Sequence, residues 1–143
     1  MLISNLKGGL GNQLFIYSFI YTLAKNISTS FSFDLSSYNF NLGKSLEIDK
    51  VNIVLSEVDK KMLSEFRYNS LSTIHEKLKR KLGIKIYKGN IILEDKFDEI
   101  KFKKEIKYNK NYYFDGYWQN IKYFLSDYEK LNKKFQINKD FIG

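Results

Sequence analysis

A cluster of glycines between a short apolar segment and a long one constrains the fold of this chain more than any other feature. The cluster is KGGLGNQLF, residues 7–15. It follows LISNL, residues 2–6, whose length and apolar character are typical of a buried strand. Because glycine allows a positive φ and a close approach to the backbone, the cluster predicts a sharp turn from a strand into a helix.

A helix is predicted directly after the glycines, with Asn12 as its N-cap. Apolar residues recur there at helical spacing and define one face. These residues are Ile16, Ile20, Leu23, Ala24 and Ile27. The polar residues Ser18, Thr22 and Lys25 are expected on the opposite side. The apolar run within this segment, residues 14–24, is too short to span a bilayer and lacks a signal-peptide cleavage site, so it predicts a buried helix.

The next segment, SFSFDL at residues 30–35, alternates between polar and apolar residues and predicts a second strand with Asp34 near its carboxyl end. Strand, glycine turn, helix and strand together make a βαβ unit. The sequence therefore predicts an α/β fold with a parallel sheet flanked by helices.

Further elements are predicted along the rest of the chain. A capping box formed by Ser56 and Asp59 indicates one helix, and helical spacing indicates another over residues 72–82. The segment at residues 84–93 favours a hairpin around Gly89. An aromatic strand is predicted over 112–118, followed by a helix in which apolar residues from Ile121 to Phe135 share a face. Asn120 is the expected N-cap of that helix.

Composition limits the classes of function. The chain has 143 residues, which fits a single compact domain, and it contains no cysteine, so disulfides, thiolate metal sites and cysteine nucleophiles are excluded. A cytoplasmic location is the expectation, with at most peripheral membrane contact. The net charge is +8, but lysine is spread along the whole chain without a nucleic-acid motif, so a solvated basic surface is expected. His75 is the single histidine and is expected at the surface, not on a metal.

The glycine turn suits an anion for a physical reason. A strand that turns into a helix places the free amides and the positive end of the helix at the carboxyl edge of the sheet. Asn12 can cap that helix or donate to a phosphate oxygen, and the glycines can alternatively serve tight strand–helix packing alone. The dinucleotide motif G-x-G-x-x-G is met only in part, since Leu14 replaces its third glycine. A dinucleotide-binding domain with Asp34 at the ribose is therefore a minor alternative.

Four segments in order resemble the bacterial α-1,2-fucosyltransferases, glycosyltransferase family 11. They are GGLGNQLFIYSFIYTLAK, FDLSSYNF, SLEIDKVNI and FDGYWQNIKYF, with Val51 in place of the usual aromatic residue in the third. The resemblance covers roughly residues 1–130 of this chain and the first half of the usual length of the family.

The resemblance implies a Rossmann-like N-terminal half, residues 1–143, of a metal-independent GT-B glycosyltransferase. Such enzymes transfer fucose from GDP-fucose to the 2-hydroxyl of galactose in a glycan, with inversion. It also implies two groups of site residues. The donor phosphates are expected at Gly9, Gly11, Asn12 and Gln13. The acceptor or cleft residues are Asp115, Tyr117, Trp118 and Gln119.

Several of these roles have alternatives. Tyr117 and Trp118 point to opposite faces if they continue a strand, so at least one is expected in the core. Asp115 can act as a base, bind a sugar hydroxyl or form a turn, Asp34 is equally ambiguous, and the catalytic base stays unassigned. The arginine-rich motif of the family's second half has no counterpart in this sequence, whose arginines are Arg67 and Arg80. The chain is therefore expected to be truncated and to self-associate or need a separate second half; a non-catalytic remnant is the alternative.

Overall fold

Four short strands form one parallel sheet in the computed structural model, which describes residues 1–38, 45–66 and 89–137. The strands are β1 (Leu2–Asn5), β2 (Phe31–Asp34), β3 (Ile91–Leu93) and β4 (Tyr112–Asp115). Their spatial order is β2-β1-β4-β3, and all three neighbouring pairs are parallel. The predicted α/β, Rossmann-like architecture is confirmed.

The strand register brings polar residues to one edge of the sheet. Asn5 at the end of β1 lies beside Asp34 at the end of β2, and Leu93 at the end of β3 lies beside Asp115 at the end of β4. Because the strands are parallel, these carboxyl ends share the edge at which ligands of open α/β sheets bind. The fold thus places the glycine turn, which follows β1, and the predicted acceptor or cleft residues, which end or follow β4, at the same edge of the sheet.

Helix α1 (Leu10–Asn26) connects β1 to β2 and is buried on more sides than predicted. Its predicted apolar face lies in the core, as expected. Ser18 and Thr22 are also buried, however, so the predicted polar face is wrong there. The reason is a second covering layer: the segment after β4 packs on the helix, where Trp118 stacks on Phe19 with ring centroids 3.9 Å apart. The predicted N-cap is also wrong, because the helix begins at Leu10 after the N-cap residue Gly9, which leaves Asn12 inside the first turn.

Three shorter helices complete the described part of the chain. They are α2 (Lys60–Leu63), α3 (Glu99–Glu105) and α4 (Tyr128–Lys134). Asp59 is the N-cap of α2, and its carboxylate accepts a hydrogen bond from the Lys61 amide at 2.6 Å. Ser56 lies outside this helix, and its hydroxyl is 3.1 Å from that of Ser32. The predicted capping box, with Ser56 as the N-cap and Asp59 in the first turn, is therefore wrong, and the helix begins later than predicted.

Two predictions near the end of the chain are wrong in detail. The aromatic strand ends at Asp115, and Trp118 beyond it has a positive φ of 57°. Asn120 does cap the following segment by accepting from the Lys122 amide at 3.1 Å, but that segment is a 3-10 turn (Ile121–Tyr123), a second turn (Leu125–Asp127) and then α4. The buried Trp118 and Phe124 hold this broken path against α1.

The remaining predictions concern the middle of the chain. Strand β3 pairs in parallel with β4, which is not the predicted antiparallel pairing within residues 84–93; residues 84–88 lie outside the described residues. The predicted helix over 72–82, with His75, also lies outside them. Within the described residues, no helix has the length and apolar character needed to cross a membrane.

Candidate functional site

The glycines of the turn have different structural roles. Gly8 is buried and has a φ of +80°, and a Cβ at this position would overlap the side chain of Asn12. Gly9 and Gly11 are exposed. A Cβ at Gly11 would meet no atom within 4 Å. Gly8 therefore sets the backbone path, whereas Gly11 leaves an open surface over the first turn of α1.

Gln13 lies beneath this turn and not on its surface. Its side chain is fully buried, and its Nε2 donates to the carbonyl oxygens of Gly8 and Ser45, both at 3.0 Å. Its Oε1 accepts from the amides of Glu47 at 2.9 Å and Ile48 at 2.8 Å. Because the polar atoms of this side chain are bound within the chain, Gln13 can belong to a phosphate-binding turn only as a residue that supports it, and the phosphate site itself stays a prediction. The residue ties the turn to the segment that starts at Ser45.

Tyr38 supports the same turn from the other side. Its hydroxyl donates to the carbonyl oxygen of Gly8 at 2.9 Å. Burial is the main cause that raises the pKa of Tyr38 from 10.0 to about 12, with the charges of Tyr117 and Glu47 adding to it and a hydrogen bond with Gln13 opposing it. The phenol therefore stays protonated, and remains a donor to Gly8, throughout the neutral pH range.

A carboxylate of the chain already occupies part of the positive end of α1. The amide of Leu10 donates to Glu47 Oε2 at 3.2 Å, and the other oxygen, Oε1, accepts from Lys50 Nζ at 3.2 Å. An acidic group is stabilised at this end by the helix dipole and the free amides. An incoming phosphate at this amide therefore has to compete with Glu47.

Asp115 at the end of β4 forms a charged cluster with Lys7 beside the glycine turn. Lys7 Nζ lies 2.5 Å from Asp115 Oδ1, which also accepts from Asn5 Nδ2 at 3.2 Å. The same ammonium group lies 4.8 Å from the ring centroid of Tyr117. The Asp115 side chain is 6% exposed and that of Lys7 is 20% exposed. The carboxylate is therefore held firmly, while part of the lysine is open to solvent.

The two predicted groups of residues meet at Asn12 and Gln119. Gln119 Nε2 donates to Asn12 Oδ1 at 2.5 Å, and Gln119 is exposed. Trp118, by contrast, is fully buried against Phe19, while Tyr117 is 39% exposed. The structure thus places Tyr117 and Gln119 at the open edge and Trp118 in the core. This agrees with the expectation that at least one of the two aromatic residues is structural and corrects the assignment of Trp118 to the cleft surface.

Asp34 is buried, and its hydrogen bonds connect neighbouring parts of the fold. Its side chain is fully buried, Oδ1 accepts from the Ser36 amide at 3.0 Å, and Oδ2 accepts from the Tyr113 hydroxyl at 2.7 Å. These bonds fix the end of β2 to β4. The geometry gives no support to Asp34 as a ribose ligand in the minor, dinucleotide-binding alternative.

Four residues of the site were absent from the sequence prediction: Asn5, Lys7, Tyr38 and Glu47. Lys7 had a usable signal, because it stands between a predicted buried strand and the glycine turn. Tyr38 and Glu47 lie in two of the segments that resemble the family, but their contacts with Gly8 and Leu10 have no local sequence signal, since these contacts depend on how a distant segment folds back. Within the described residues, no group of three histidine, aspartate or glutamate side chains could hold a metal ion. Independence from metal stays a prediction.

Comparison with known proteins gives one informative similarity. Over 139 residues the chain is 31% identical to an α-1,2-colitosyltransferase from Escherichia coli, and the match covers 94% of this chain and 44% of that protein. The chain thus spans less than half the length of this relative. No family model matches the chain, and no solved structure matches it significantly. The similarity supports a relationship to a glycosyltransferase.

Proposed function

We propose that this chain is the N-terminal, donor-facing part of an inverting GT-B-type glycosyltransferase that forms α-1,2 linkages. The observation that carries the proposal is the 31% identity to an α-1,2-colitosyltransferase over nearly the whole chain. The geometry supports it, because the first and last of the four segments that resemble the α-1,2-fucosyltransferases meet at one edge of a parallel sheet through Asn12 and Gln119.

The finer proposal names GDP-fucose as the donor and the 2-hydroxyl of a galactose unit in a glycan as the acceptor. This finer proposal rests on the resemblance of the four segments to the α-1,2-fucosyltransferases. Colitose, the sugar in the name of the relative, is the competing donor sugar. An assay of both sugars as guanosine-diphosphate donors separates these two cases.

The turn and the lysine beside it suit a diphosphate. The exposed backbone at Gly9 and Gly11 allows an anion to approach the first amides of α1 without obstruction by a Cβ. Lys7 adds one positive charge near this edge, and its position is fixed by Asp115, whose carboxylate also accepts a hydrogen bond from Asn5. Preorganised positive groups of this kind stabilise the negative charge that develops on a departing diphosphate.

The described edge offers limited positive charge for that reaction. Lys7 is already paired with Asp115, and the first free amide of α1 is paired with Glu47. Losing one preorganised donor to a developing anion costs a factor on the order of 10² to 10³ in rate. We therefore propose that turnover needs further residues, supplied by a longer chain or a separate second half, and that this chain alone binds GDP weakly and without magnesium.

The alternative is a non-catalytic binding domain or remnant. One observation favours it: the Glu47 carboxylate accepts from the Leu10 amide at 3.2 Å, where a phosphate oxygen would bind in the transferase proposal. In that case the glycine turn serves packing, and the positive end of α1 is satisfied by the chain itself.

Calorimetric titration with GDP tests the proposal most directly, using Gly11→Ala. This substitution replaces glycine by a better helix former in open space, so it should stabilise the fold by about 0.4–1 kcal/mol. Its methyl group should at the same time obstruct a phosphate, and we expect GDP affinity to fall several-fold. Asn26→Ala at the far end of α1 is the matched control, because it also favours the helix but lies away from the turn.

The outcomes separate the two functions. Weaker GDP binding in the more stable Gly11→Ala variant, with wild-type binding in Asn26→Ala, supports the transferase proposal. Equal GDP binding in all three proteins, or no binding to the wild type, favours the non-catalytic domain. Tight binding of NAD or ATP in place of GDP would reject the glycosyltransferase assignment altogether.

A further inference from the structure

Gln119 and Asn12 form a contact that joins the segment after β4 to the first turn of α1. Gln119 Nε2 donates to Asn12 Oδ1 at 2.5 Å, although the two residues are 107 positions apart in the sequence. Asn12 is half-buried and Gln119 is exposed. A hydrogen bond between two such neutral side chains adds little to the stability of a fold, so stability alone does not explain this contact.

The hydrogen bond determines which atom of the Asn12 side chain is left for a ligand. A carboxamide has one oxygen that accepts and one amino group that donates. Because Gln119 donates to Oδ1, the Asn12 side chain presents Nδ2 as a donor. Nδ2 lies over Gly8, where a Cβ would overlap it, so glycine at position 8 makes room for this donor. Within residues 1–38, 45–66 and 89–137, no group accepts a hydrogen bond from Nδ2.

Two other donors of the glycine turn are already paired within the chain. The Leu10 amide donates to Glu47 Oε2 at 3.2 Å, and Lys7 Nζ lies 2.5 Å from Asp115 Oδ1. An anion that uses either donor has to compete with a carboxylate. The carboxamide donor over Gly8 requires no such exchange, because its amino group has no partner to lose.

The backbone around Gln119 is held on both sides. The preceding residue, Trp118, is fully buried and has a φ of 57°. On the other side, the Asn120 amide donates to the Trp118 carbonyl oxygen at 2.8 Å, and Asn120 Oδ1 accepts from the Lys122 amide at 3.1 Å. Gln119 therefore reaches Asn12 from a supported backbone, which a residue that orients another side chain requires.

We propose that Gln119 is a positioning residue, which turns the Asn12 carboxamide so that Nδ2 donates to a phosphate oxygen of the sugar-nucleotide donor. This inference rests on the proposed function. It moves Gln119 from the acceptor or cleft group, in which the resemblance places it, to the donor side of the site. The carboxamide donor supplements the first amides of α1 in holding an anion. Since Gln119 acts through Asn12, the two residues should affect GDP binding as a unit.

Phosphorus NMR titration of the full chain with GDP tests this role, because it follows the phosphates and measures weak binding. At neutral pH the carboxylate of Gln119→Glu can only accept, so it should turn Asn12 Nδ2 toward itself and leave Oδ1 facing the phosphate. Losing a hydrogen bond to a charged group weakens binding by roughly ten- to a hundredfold. We expect a loss of that size in Gln119→Glu and in Asn12→Ala, and a smaller loss in Gln119→Ala, which leaves the carboxamide free to rotate.

Two comparisons separate the orientation of Asn12 from the added negative charge. In the Asn12→Ala background no carboxamide is left to turn, so Gln119→Glu should weaken GDP binding by at most about fivefold, the effect of one exposed charge. Gln136→Glu makes the same chemical change at an exposed glutamine after α4 and should bind GDP as the wild type does. Urea denaturation of each variant shows that it is folded.

The outcomes distinguish this inference from the proposed function. A large loss in Gln119→Glu that depends on Asn12 supports the positioning role. If the wild type binds no GDP, the proposed function and this inference both fail. If the wild type binds GDP and Gln119→Glu binds equally well or more tightly, the hydrogen bond does not hold Nδ2 toward a phosphate, and only this inference is overturned. Equal losses from Gln119→Glu with and without Asn12 also overturn it, because the added charge alone then explains the loss.

Discussion

Lys7 and Asp115 join the carboxyl ends of β1 and β4 through an ion pair in which Lys7 Nζ lies 2.5 Å from Asp115 Oδ1. The two residues are 108 positions apart in the sequence, yet Asp115 ends β4 and Lys7 lies two residues beyond the end of β1 in the same sheet. Asn5 donates to the same carboxylate oxygen, so the pair is part of a small network at the candidate site. This network therefore links the segment before the glycine turn to the end of β4.

We expect Lys7→Met to destabilise the fold by about 1–3 kcal/mol, because it leaves a nearly buried carboxylate with weaker compensation. Asp115→Asn should cost less, and the double variant should cost less than the sum of the two single changes. Urea denaturation of the four proteins measures this coupling. Lys50→Met is the control, since its pair with Glu47 is more exposed and should contribute at most about 0.5 kcal/mol. Additive effects at Lys7 and Asp115 would contradict the network.

Gly8 and Gly11 should respond in opposite directions to the same substitution. Gly8→Ala forces a Cβ into a backbone with a φ of +80° and against the Asn12 side chain, so we expect a loss of about 1–3 kcal/mol. Gly11→Ala should stabilise the fold by about 0.4–1 kcal/mol, because a Cβ there meets no atom within 4 Å. Thermal unfolding of both variants measures the difference. A Gly8→Ala protein as stable as the wild type would show that the turn adopts another conformation.

Sequence periodicity was sufficient for the βαβ unit but not for the surroundings of α1. The spacing of Ile16 and Ile20 predicts the face that packs on the sheet, because local periodicity reports burial on one side. It does not report that Trp118 covers another side, since that contact joins residues far apart in sequence. The periodicity therefore predicts Ser18 and Thr22 on a solvent-facing side, although both are buried.

The candidate site, too, could be predicted from the sequence only in part. The glycines indicate a turn at a strand end, and the family resemblance indicates the second motif. The sequence does not distinguish Gly8, whose positive φ favours glycine, from Gly11, which leaves open space, because this difference depends on the three-dimensional structure. For Gln13, the family resemblance predicts a place in the phosphate-facing turn but does not show that its side chain is buried beneath it. Its real partners, the amides of Glu47 and Ile48, belong to a segment whose return to the turn has no local sequence signal.

Gln13→Ala should destabilise the fold strongly for a side chain that makes no ion pair. The substitution leaves the amides of Glu47 and Ile48 without their acceptor, and a buried polar group that loses its partner costs about 1–3 kcal/mol. We expect a total loss of about 2–4 kcal/mol, measured by urea denaturation. Asn12→Ala, in the same helical turn, is the control and should cost less than about 1 kcal/mol. Equal losses at the two positions would contradict the bracing role of Gln13.

Tyr38 gives the fold a distinct dependence on alkaline pH. Its pKa is raised from 10.0 to about 12, chiefly by burial, so the folded state holds the phenol proton more tightly than the unfolded chain does. The resulting stabilisation is fully present below the unfolded pKa near 10 and is lost as the pH rises through the folded pKa of about 12. At neutral pH, Tyr38→Phe should cost about 0.5–1.5 kcal/mol, because it removes the hydrogen bond to Gly8.

Urea denaturation of the wild type and Tyr38→Phe at a series of pH values measures this dependence. The stability difference between them should shrink between about pH 10 and about pH 12, because only the wild type has this phenol proton to lose. Other tyrosines, including Tyr17 and Tyr123, whose pKa values burial also raises, are present in both proteins and cancel in the comparison. Tyr108→Phe, at a residue that is 68% exposed, should show no such trend. A constant difference between wild type and Tyr38→Phe over this range would contradict the raised pKa of Tyr38, whereas equal stability of the two proteins at neutral pH would contradict the bracing hydrogen bond to Gly8.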